Sequence, residues 1–190
     1  MRVTFILPCV SRLRPLQQGT LSRLCGVYSI LNALQLSLHP QRLTKLERQT
    51  IYLHAIAYLA RRRQLKRVLG VGMDHGLWWD LRDALIAHVN AVYHVSLKPM
   101  PTLSGTAAID RQRTVGAIKR EVRRGRPVLA VFGGALDHYS VICGYTPQRL
   151  MLFDSSGLSW IIADNLGLGE HSRRRYTLCP RRTSTIIHDW

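Results

Sequence analysis

The chain has 190 residues, of which 46% are hydrophobic and 20% charged, as in an ordinary folded protein with one core. We predict a single domain over residues 1–190. No apolar run approaches the roughly 20 residues that a membrane-spanning helix needs, so we expect no membrane span. The net charge of +16 favours either a generally soluble, arginine-biased protein or a surface that binds an acidic partner.

Four cysteines are scattered along the chain, at Cys9, Cys25, Cys143 and Cys179. No pair has the CxxC spacing of a zinc site, and a disulfide framework is atypical of a chain of this length. We therefore expect no metal and no cofactor. A single cysteine set against a distant histidine is instead typical of a nucleophile.

The N-terminal apolar run, residues 3–7, predicts a short strand that Pro8 closes. This run faintly resembles a signal peptide, but Arg12 and Arg14 stand where small residues should precede a cleavage site. We expect a cytoplasmic protein, with secretion as an effector as the alternative.

Two helices are predicted next. Apolar residues recur at helical spacing from Cys25 onward, until Pro40 stops the helix. Thr44 and Glu47 match a capping box, which predicts a second helix that extends to about Gly70.

The middle of the chain predicts two further helices and irregular connections. Asp74 is placed to cap a helix over residues 77–89, and a second amphipathic pattern covers residues 114–124. Residues 91–97 are predicted to be extended, and the Pro- and Gly-containing stretch 98–112 is predicted to be a loop.

The last third of the chain changes to strand patterns. We predict strands over residues 128–132, 139–144, 150–153, 159–162, 176–179 and 184–187. Helices followed by strands indicate an α+β protein, in which N-terminal helices pack on a C-terminal antiparallel sheet.

Cys25 stands where a polar loop ends and the first helix begins. The unpaired N–H groups and the dipole of a helix start stabilise a thiolate, and Gly26 leaves room for a substrate. An oxyanion would need donors, which the Cys25 backbone N–H and the side-chain amide of Gln18 could supply, with Gln17 as the alternative. The competing interpretation is a small core residue at a helix start.

His138 begins one predicted strand and Asp154 closes the next. In an antiparallel hairpin these positions are neighbours, so Asp154 can accept from one imidazole nitrogen while the other faces Cys25. Asp137 is a weaker partner because adjacent strand residues point to opposite faces. The competing interpretation is a surface histidine beside a turn aspartate.

This pairing makes a prediction about strand register. The side chains of His138 and Asp154 share a face only if opposed residues have numbers that sum to an even value. The connection around residues 145–149 must therefore hold three or five residues, or a β-bulge must reset the phase.

These residues resemble the papain-like cysteine peptidase superfamily, in particular its bacterial branch similar to the bacteriocin-leader-processing peptidases. The matching segments are Gln18, residues 25–33, 124–132, 137–145 and 150–155. The resemblance implies that Cys25 is the nucleophile, His138 the base and then the acid, Asp154 the residue that orients the histidine, and Gln18 the oxyanion-hole donor.

The resemblance implies a free-standing hydrolase, most simply a peptidase that cleaves amide bonds through a thioester acyl-enzyme. Its partner would be a peptide or protein substrate. A toxin-like deamidase or acyltransferase that uses the same triad is the first alternative. A non-catalytic basic module that binds nucleic acid or protein is the second.

Other side chains that could carry function have simpler structural interpretations. Trp78 and Trp79 could line a cleft, but packing in a helical core is preferred. His88 and His94 have poor metal spacing and are expected to be structural, and Cys143 is expected to be buried and inert.

Basic clusters stand at residues 61–63, 120–126 and 173–175. They would suit an acidic partner, but no nucleic-acid-binding motif accompanies them, and nucleic acid is not the expected partner.

Overall fold

The structure, a computed structural model, describes residues 4–20, 22–103, 110–169 and 172–188. Within these ranges the chain folds as a mixed α+β protein with a sheet in which most neighbouring strands are antiparallel. The helices are α1 (Cys25–Ser37), α2 (Lys45–Arg61), α3 (Leu65–Val71), α4 (His75–Tyr93) and α5 (Arg111–Arg123). The strands are β1 (Phe5–Ile6), β2 (Leu97–Pro101), β3 (Val128–Gly134), β4 (His138–Tyr145), β5 (Arg149–Leu152), β6 (Trp160–Ile162), β7 (Leu166–Leu168), β8 (Tyr176–Leu178) and β9 (Ser184–His188).

Side-chain caps fix the starts of three helices. Thr44 forms the predicted capping box with Glu47 at the start of α2. Asp74 accepts a hydrogen bond from the Leu77 N–H at α4, and Asp110 accepts one from the Arg113 N–H at α5. Helix α1 has no side-chain cap and no acidic residue in its first turn, so its N–H groups stay available to an anion.

The helical region differs from the prediction in two places. The second predicted helix is two helices, since α2 ends at Arg61 and α3 begins at Leu65. Arg63 adopts a left-handed conformation between them, with φ of 56°, which a continuing helix does not allow. Helix α4 also extends to Tyr93, so residues 91–93 are helical where an extended segment was predicted.

The sheet runs in the order β2-β9-β3-β4-β5-β6, with β1 on β4 and β8 on β3. Strand β2 lies, apart from Leu97, within residues predicted to form a loop, because its composition, Leu-Lys-Pro-Met-Pro, hides the strand signal. It is an edge strand that pairs with β9, and edge strands tolerate Pro99 and Pro101. The short strand β7 was also missed, and it is parallel to β8.

The core lies on both sides of the central strand β4. All eight residues of β4 are buried, and α1 and α5 both contact it. The start of α1 and the start of β4 therefore belong to one packed core. None of the helices in the described residues combines the length and the apolar character that crossing a bilayer requires.

Candidate active site

Cys25 is the first residue of α1 and is partly exposed. The helix packs closely at this end, since a Cβ added at Gly26 would lie 3.1 Å from Cδ1 of Trp78 and 3.5 Å from the sulfur of Met73. The indole N–H of Trp78 donates to the Gly26 carbonyl over 3.1 Å. Glycine at position 26 therefore allows the nucleophile's helix to lie against α4.

His138 is the first residue of β4 and lies directly opposite Phe132 on β3. Its Nε2 donates to Oδ2 of Asp154 over 2.7 Å. A hydrogen bond between its imidazole and the Cys25 thiol contributes to the pKa shifts of both groups, so the ring lies beside the sulfur. The structure thus brings the three residues predicted as catalytic into one hydrogen-bonded chain.

The register that aligns His138 with Asp154 depends on a β-bulge. Tyr145 pairs with Leu150, so the residue numbers sum to an odd value and four residues lie between the two. This register alone would place the side chains of His138 and Asp154 on opposite faces of the sheet. A bulge between Ile142 and Gly144 shifts the register, and beyond it Ile142 pairs with Leu152, an even sum. The predicted bulge is thus confirmed, while the alternative of an odd connection is wrong.

Burial alone would raise the pKa of the Cys25 thiol. Four interactions outweigh this effect: the hydrogen bond from His138, the hydrogen bond from the Tyr139 backbone N–H, the positive charge of His138, and the hydrogen bond from the Gly26 backbone N–H. The pKa of Cys25 is therefore lowered from its usual value. The sulfur lies in a site that favours the thiolate.

The pKa of His138 moves in the opposite direction. Burial favours the neutral ring, but the hydrogen bond to Asp154 and the adjacent Cys25 sulfur favour the imidazolium and raise the pKa to about 9. Burial likewise opposes ionisation of Asp154, but the hydrogen bond from His138 and its charge lower the pKa to about 2. These directions favour a thiolate–imidazolium pair beside a permanently ionised carboxylate.

The second carboxylate oxygen of Asp154 is held by the turn that follows β5. Oδ1 accepts hydrogen bonds from the backbone N–H and the hydroxyl of Ser156, over 2.7 and 2.6 Å. The acid therefore presents only Oδ2 to the histidine. Asp137, the alternative partner, is exposed and has a left-handed φ of 41°. The hydrogen bond from the imidazole is accepted by Asp154 instead.

Both glutamines of the upstream loop lie against the end of β5. The Gln17 amide donates to the Asp154 carbonyl over 3.1 Å, and the backbone N–H of Gln18 donates to the Ser155 carbonyl over 3.0 Å. Gln17 is thus committed to a structural bond. The side-chain oxygen of Gln18 is buried without a partner among the described residues, which leaves Gln18 as the better oxyanion-hole candidate.

Two polar residues of α1 hold this loop in place, and sequence reasoning missed them. Asn32 accepts from the Leu16 N–H over 2.7 Å and donates to the Leu16 carbonyl over 3.3 Å. Gln35 donates to the Arg14 carbonyl and to Asn32. Their signal was present, because two amides inside an otherwise apolar helical stretch need buried partners.

Tyr139 was also missed. Its hydroxyl donates to the Met73 carbonyl over 2.8 Å, so His75, at 3.0 Å, must donate to it from Nδ1. Its ring packs 4.9 Å from that of Trp78. The residue ties the start of β4 to the start of α4, while its N–H reaches the sulfur of Cys25.

An open cavity of about 600 Å³ adjoins this cluster. Asp137 and Tyr139, the two sequence neighbours of His138, line it, whereas Cys25, His138 and Asp154 themselves do not. Thr177 and Arg182 line it from β8 and the turn after it. The cavity is large enough to receive several residues of an extended peptide.

The remaining residues singled out in the sequence lie elsewhere. Trp78 is fully buried in the core, and Trp79 is 37% exposed beside Arg82 on another surface. His88 stacks on His54 with ring centres 4.0 Å apart, and His94 ends α4. No metal-binding group of three or more side chains occurs among the described residues.

Comparison with family models, with curated proteins and with solved structures gives no match for this chain.

Proposed function

We propose that the chain is a papain-like cysteine hydrolase that cleaves amide bonds, most simply in peptides, through a thioester acyl-enzyme. The observation that carries the proposal is the hydrogen-bonded chain from Cys25 through His138 to Asp154 at the uncapped start of α1. Opposite pKa shifts on adjacent thiol and imidazole groups are typical of an activated nucleophile.

In the first half of the reaction the Cys25 thiolate attacks the carbonyl carbon of the scissile amide. The carbonyl π-electrons move to oxygen, and the tetrahedral intermediate carries an oxyanion. As the intermediate collapses, the imidazolium of His138 gives its proton to the leaving amine nitrogen. The C–N bond breaks, and the acyl group remains on sulfur as a thioester.

In the second half a water molecule attacks the thioester carbonyl. The now neutral His138 takes a proton from that water, and collapse of the second intermediate breaks the C–S bond. The acid product leaves, and the thiolate–imidazolium pair is restored. Asp154 holds the ring orientation in both halves and takes up no proton, because its lowered pKa keeps it ionised.

The oxyanion would be stabilised by the backbone N–H of Cys25 and by the side-chain amide of Gln18. The first N–H groups of a helix have no partner within the helix, and α1 offers them no side-chain cap. The amide oxygen of Gln18 is unpartnered in the described residues, so its NH₂ group can turn to the substrate without breaking a hydrogen bond made by that oxygen.

The proposal is tested with a vinyl-sulfone peptide probe and mass mapping of the modified residue. We expect one adduct, on Cys25, that forms rapidly near neutral pH in the wild type and much more slowly in His138→Ala. Labelling that spares Cys25, or that is unchanged in His138→Ala, would contradict the triad.

Product analysis separates amide cleavage from the other reactions of a cysteine triad. Hydrolysis of a peptide bond releases two fragments, deamidation of a glutamine adds about one mass unit to an intact chain, and acyl transfer leaves the acyl group on an amine. Fragments are the expected outcome. A binding module without catalysis would give none of these products and no selective adduct on Cys25.

A further inference from the structure

The stretch that flanks the cavity on the β8 side is strongly basic. We call residues 172–182 the arginine wall; it carries Arg173, Arg174, Arg175, Arg181 and Arg182. The first four are exposed, and Arg182 lines the cavity together with Thr177 and Cys179. The wall therefore borders the cavity, which Ser172, Thr177, Cys179 and Arg182 help to line.

Strand pairing fixes the distance from the wall to the triad. Leu178 on β8 pairs with Phe132 on β3, which pairs with His138 on β4, so the three residues form one row across the sheet. Neighbouring strands lie about 4.8 Å apart, which places β8 about 10 Å from His138. Arg175 immediately precedes β8, and its carbonyl accepts a hydrogen bond from the Ala135 N–H over 3.1 Å.

Arg174 donates to the backbone carbonyl of Asp164, but three other arginines of the wall lack a carboxylate partner in the described part of the chain. Elsewhere, arginines pair with carboxylates, as Arg62 does with Asp80 and Arg126 with Glu121. Arg173, Arg175 and Arg181 form no ion pair with any carboxylate in the described part of the chain. The cavity itself is lined by both Asp137 and Arg182, and the arginines without a carboxylate partner are exposed.

We propose that the arginine wall binds acidic side chains of a polypeptide substrate, beside the site of cleavage. This inference rests on the proposed function, because it treats the cavity as the substrate site of Cys25. Arginine forms paired hydrogen bonds with carboxylates, and a group of arginines without carboxylate partners attracts an acidic segment over several ångströms.

The wall suits a polypeptide better than a nucleic acid. Proteins that bind single strands present exposed aromatic rings on which bases stack. The aromatic residue of the wall is Tyr176, and the guanidinium of Arg175 covers its ring at 5.5 Å from the centroid. The wall offers charge without a stacking platform.

The geometry also gives a position for the acidic residues. Strand β8 lies about 10 Å across the sheet from His138, and Arg175 lies three residues, about 10 Å, along the chain from Leu178. The two distances are at right angles, so Arg175 is about 14 Å from His138. An extended peptide advances about 3.3 Å per residue. The acidic side chains are therefore expected about four residues from the scissile bond.

Binding to the inactive Cys25→Ala variant tests the inference without catalysis. The probes are two fluorescein-labelled peptides of about ten residues, one of alternating glutamate and alanine and one in which glutamine replaces every glutamate. We expect the glutamate peptide to bind at least about tenfold more tightly, with an advantage that shrinks as salt is raised. Arg173→Gln/Arg175→Gln should remove about tenfold of its affinity, since each exposed pair contributes a few-fold.

A matched control removes two arginines that do not line the cavity. Arg61→Gln/Arg120→Gln lowers the net charge equally, on α2 and α5, and should leave the affinity within about twofold. Equal binding of the two peptides, or an equal loss in both double variants, overturns the inference. So would tighter binding of a single-stranded oligonucleotide that the wall variant alone loses, since this would make the wall a nucleic-acid site.

The arginine wall and the proposed function are tested by different measurements, so either can be refuted without the other. Probe labelling of Cys25 in the wild type reports on the triad whether or not the acidic peptide binds. Loss of the acidic preference with intact labelling refutes the arginine wall only, while binding without labelling refutes the hydrolase.

Discussion

Two cysteines near opposite ends of strand β4 differ in what surrounds their sulfur atoms. Cys25 lies at the His138 end of β4, and Cys143 lies in the bulge near the other end. Burial is the largest single influence on both thiols, and by itself it would raise the pKa of each. The pKa of Cys25 is nevertheless lowered, whereas that of Cys143 rises to about 12.

Hydrogen-bond donors account for this difference. Cys25 receives hydrogen bonds from His138 and from two backbone N–H groups, and each stabilises a thiolate. The thiol of Cys143 instead faces an acceptor, the Met151 carbonyl at 3.6 Å, which stabilises only the protonated form. The reactivity of a buried cysteine in this fold is therefore set by the donors that the sheet and the helix start direct at the sulfur.

The largest expected difference in turnover is between the variants that remove one thiol or the other. Cys25→Ala is expected to lower turnover of a quenched-fluorescence peptide library by about 10⁴-fold or more, because no nucleophile remains. Cys143→Ala should leave turnover nearly unchanged and lower the free energy of unfolding by about 1 kcal/mol. Parallel kinetics and urea unfolding measure both. If both variants were folded and lost turnover to a similar extent, Cys25 could not be distinguished from Cys143 as the nucleophile.

The thiols themselves can be compared by iodoacetamide labelling with peptide mapping. Near neutral pH, Cys25 should react about 10³-fold faster than Cys143, since only a thiolate reacts and Cys143 is both protonated and buried. In His138→Ala the rate at Cys25 should fall toward that of an ordinary thiol. Fast labelling of Cys9 or Cys179 with Cys25 untouched would remove the basis for the assignment.

The orienting acid gives a smaller effect with an internal control. Asp154→Ala should lower turnover by about 10² fold, because the imidazole loses the carboxylate that aligns it but keeps its proton-transfer role. Asp137→Ala, the neighbouring residue in the cavity, should change it by less than about tenfold. The reverse order of the two variants would mean that the wrong acid was chosen.

The pH dependence should show the mildest change. The reactive pair forms as pH rises through the lowered pKa of Cys25 and is lost as His138 loses its proton near pH 9. Activity should therefore be bell-shaped, with an alkaline limb that falls about tenfold per pH unit above 9. An alkaline limb near 6.5 would show that Asp154 does not support the imidazolium.

The sequence predicted the parts of this site that follow from local patterns. The helix start at Cys25, the caps at Thr44 and Asp74, and the need for either an odd connection or a bulge before Asp154 all came from spacing and parity. The α+β class was also predicted, whereas the papain-like assignment stays a proposal.

What could not be predicted depends on contacts between distant segments. Tyr139 gave no local sign that its hydroxyl would reach Met73, and the polar residues Asn32 and Gln35 did not name the loop that they bind. Strand β2 was hidden because two prolines mask an edge strand that only β9 makes possible. Tertiary pairing overrides local propensity at such positions.

The bonds from Gln17 and Gln18 to the end of β5 have a consequence for the order of folding. They join residues 137 positions apart in the chain, and Cys25 and His138 are themselves widely separated. Contacts of this span form late, because a long loop must close before they contribute. We expect the nascent chain to carry an unactivated thiol until its last strands have docked, so that synthesis and reactivity are separated in time.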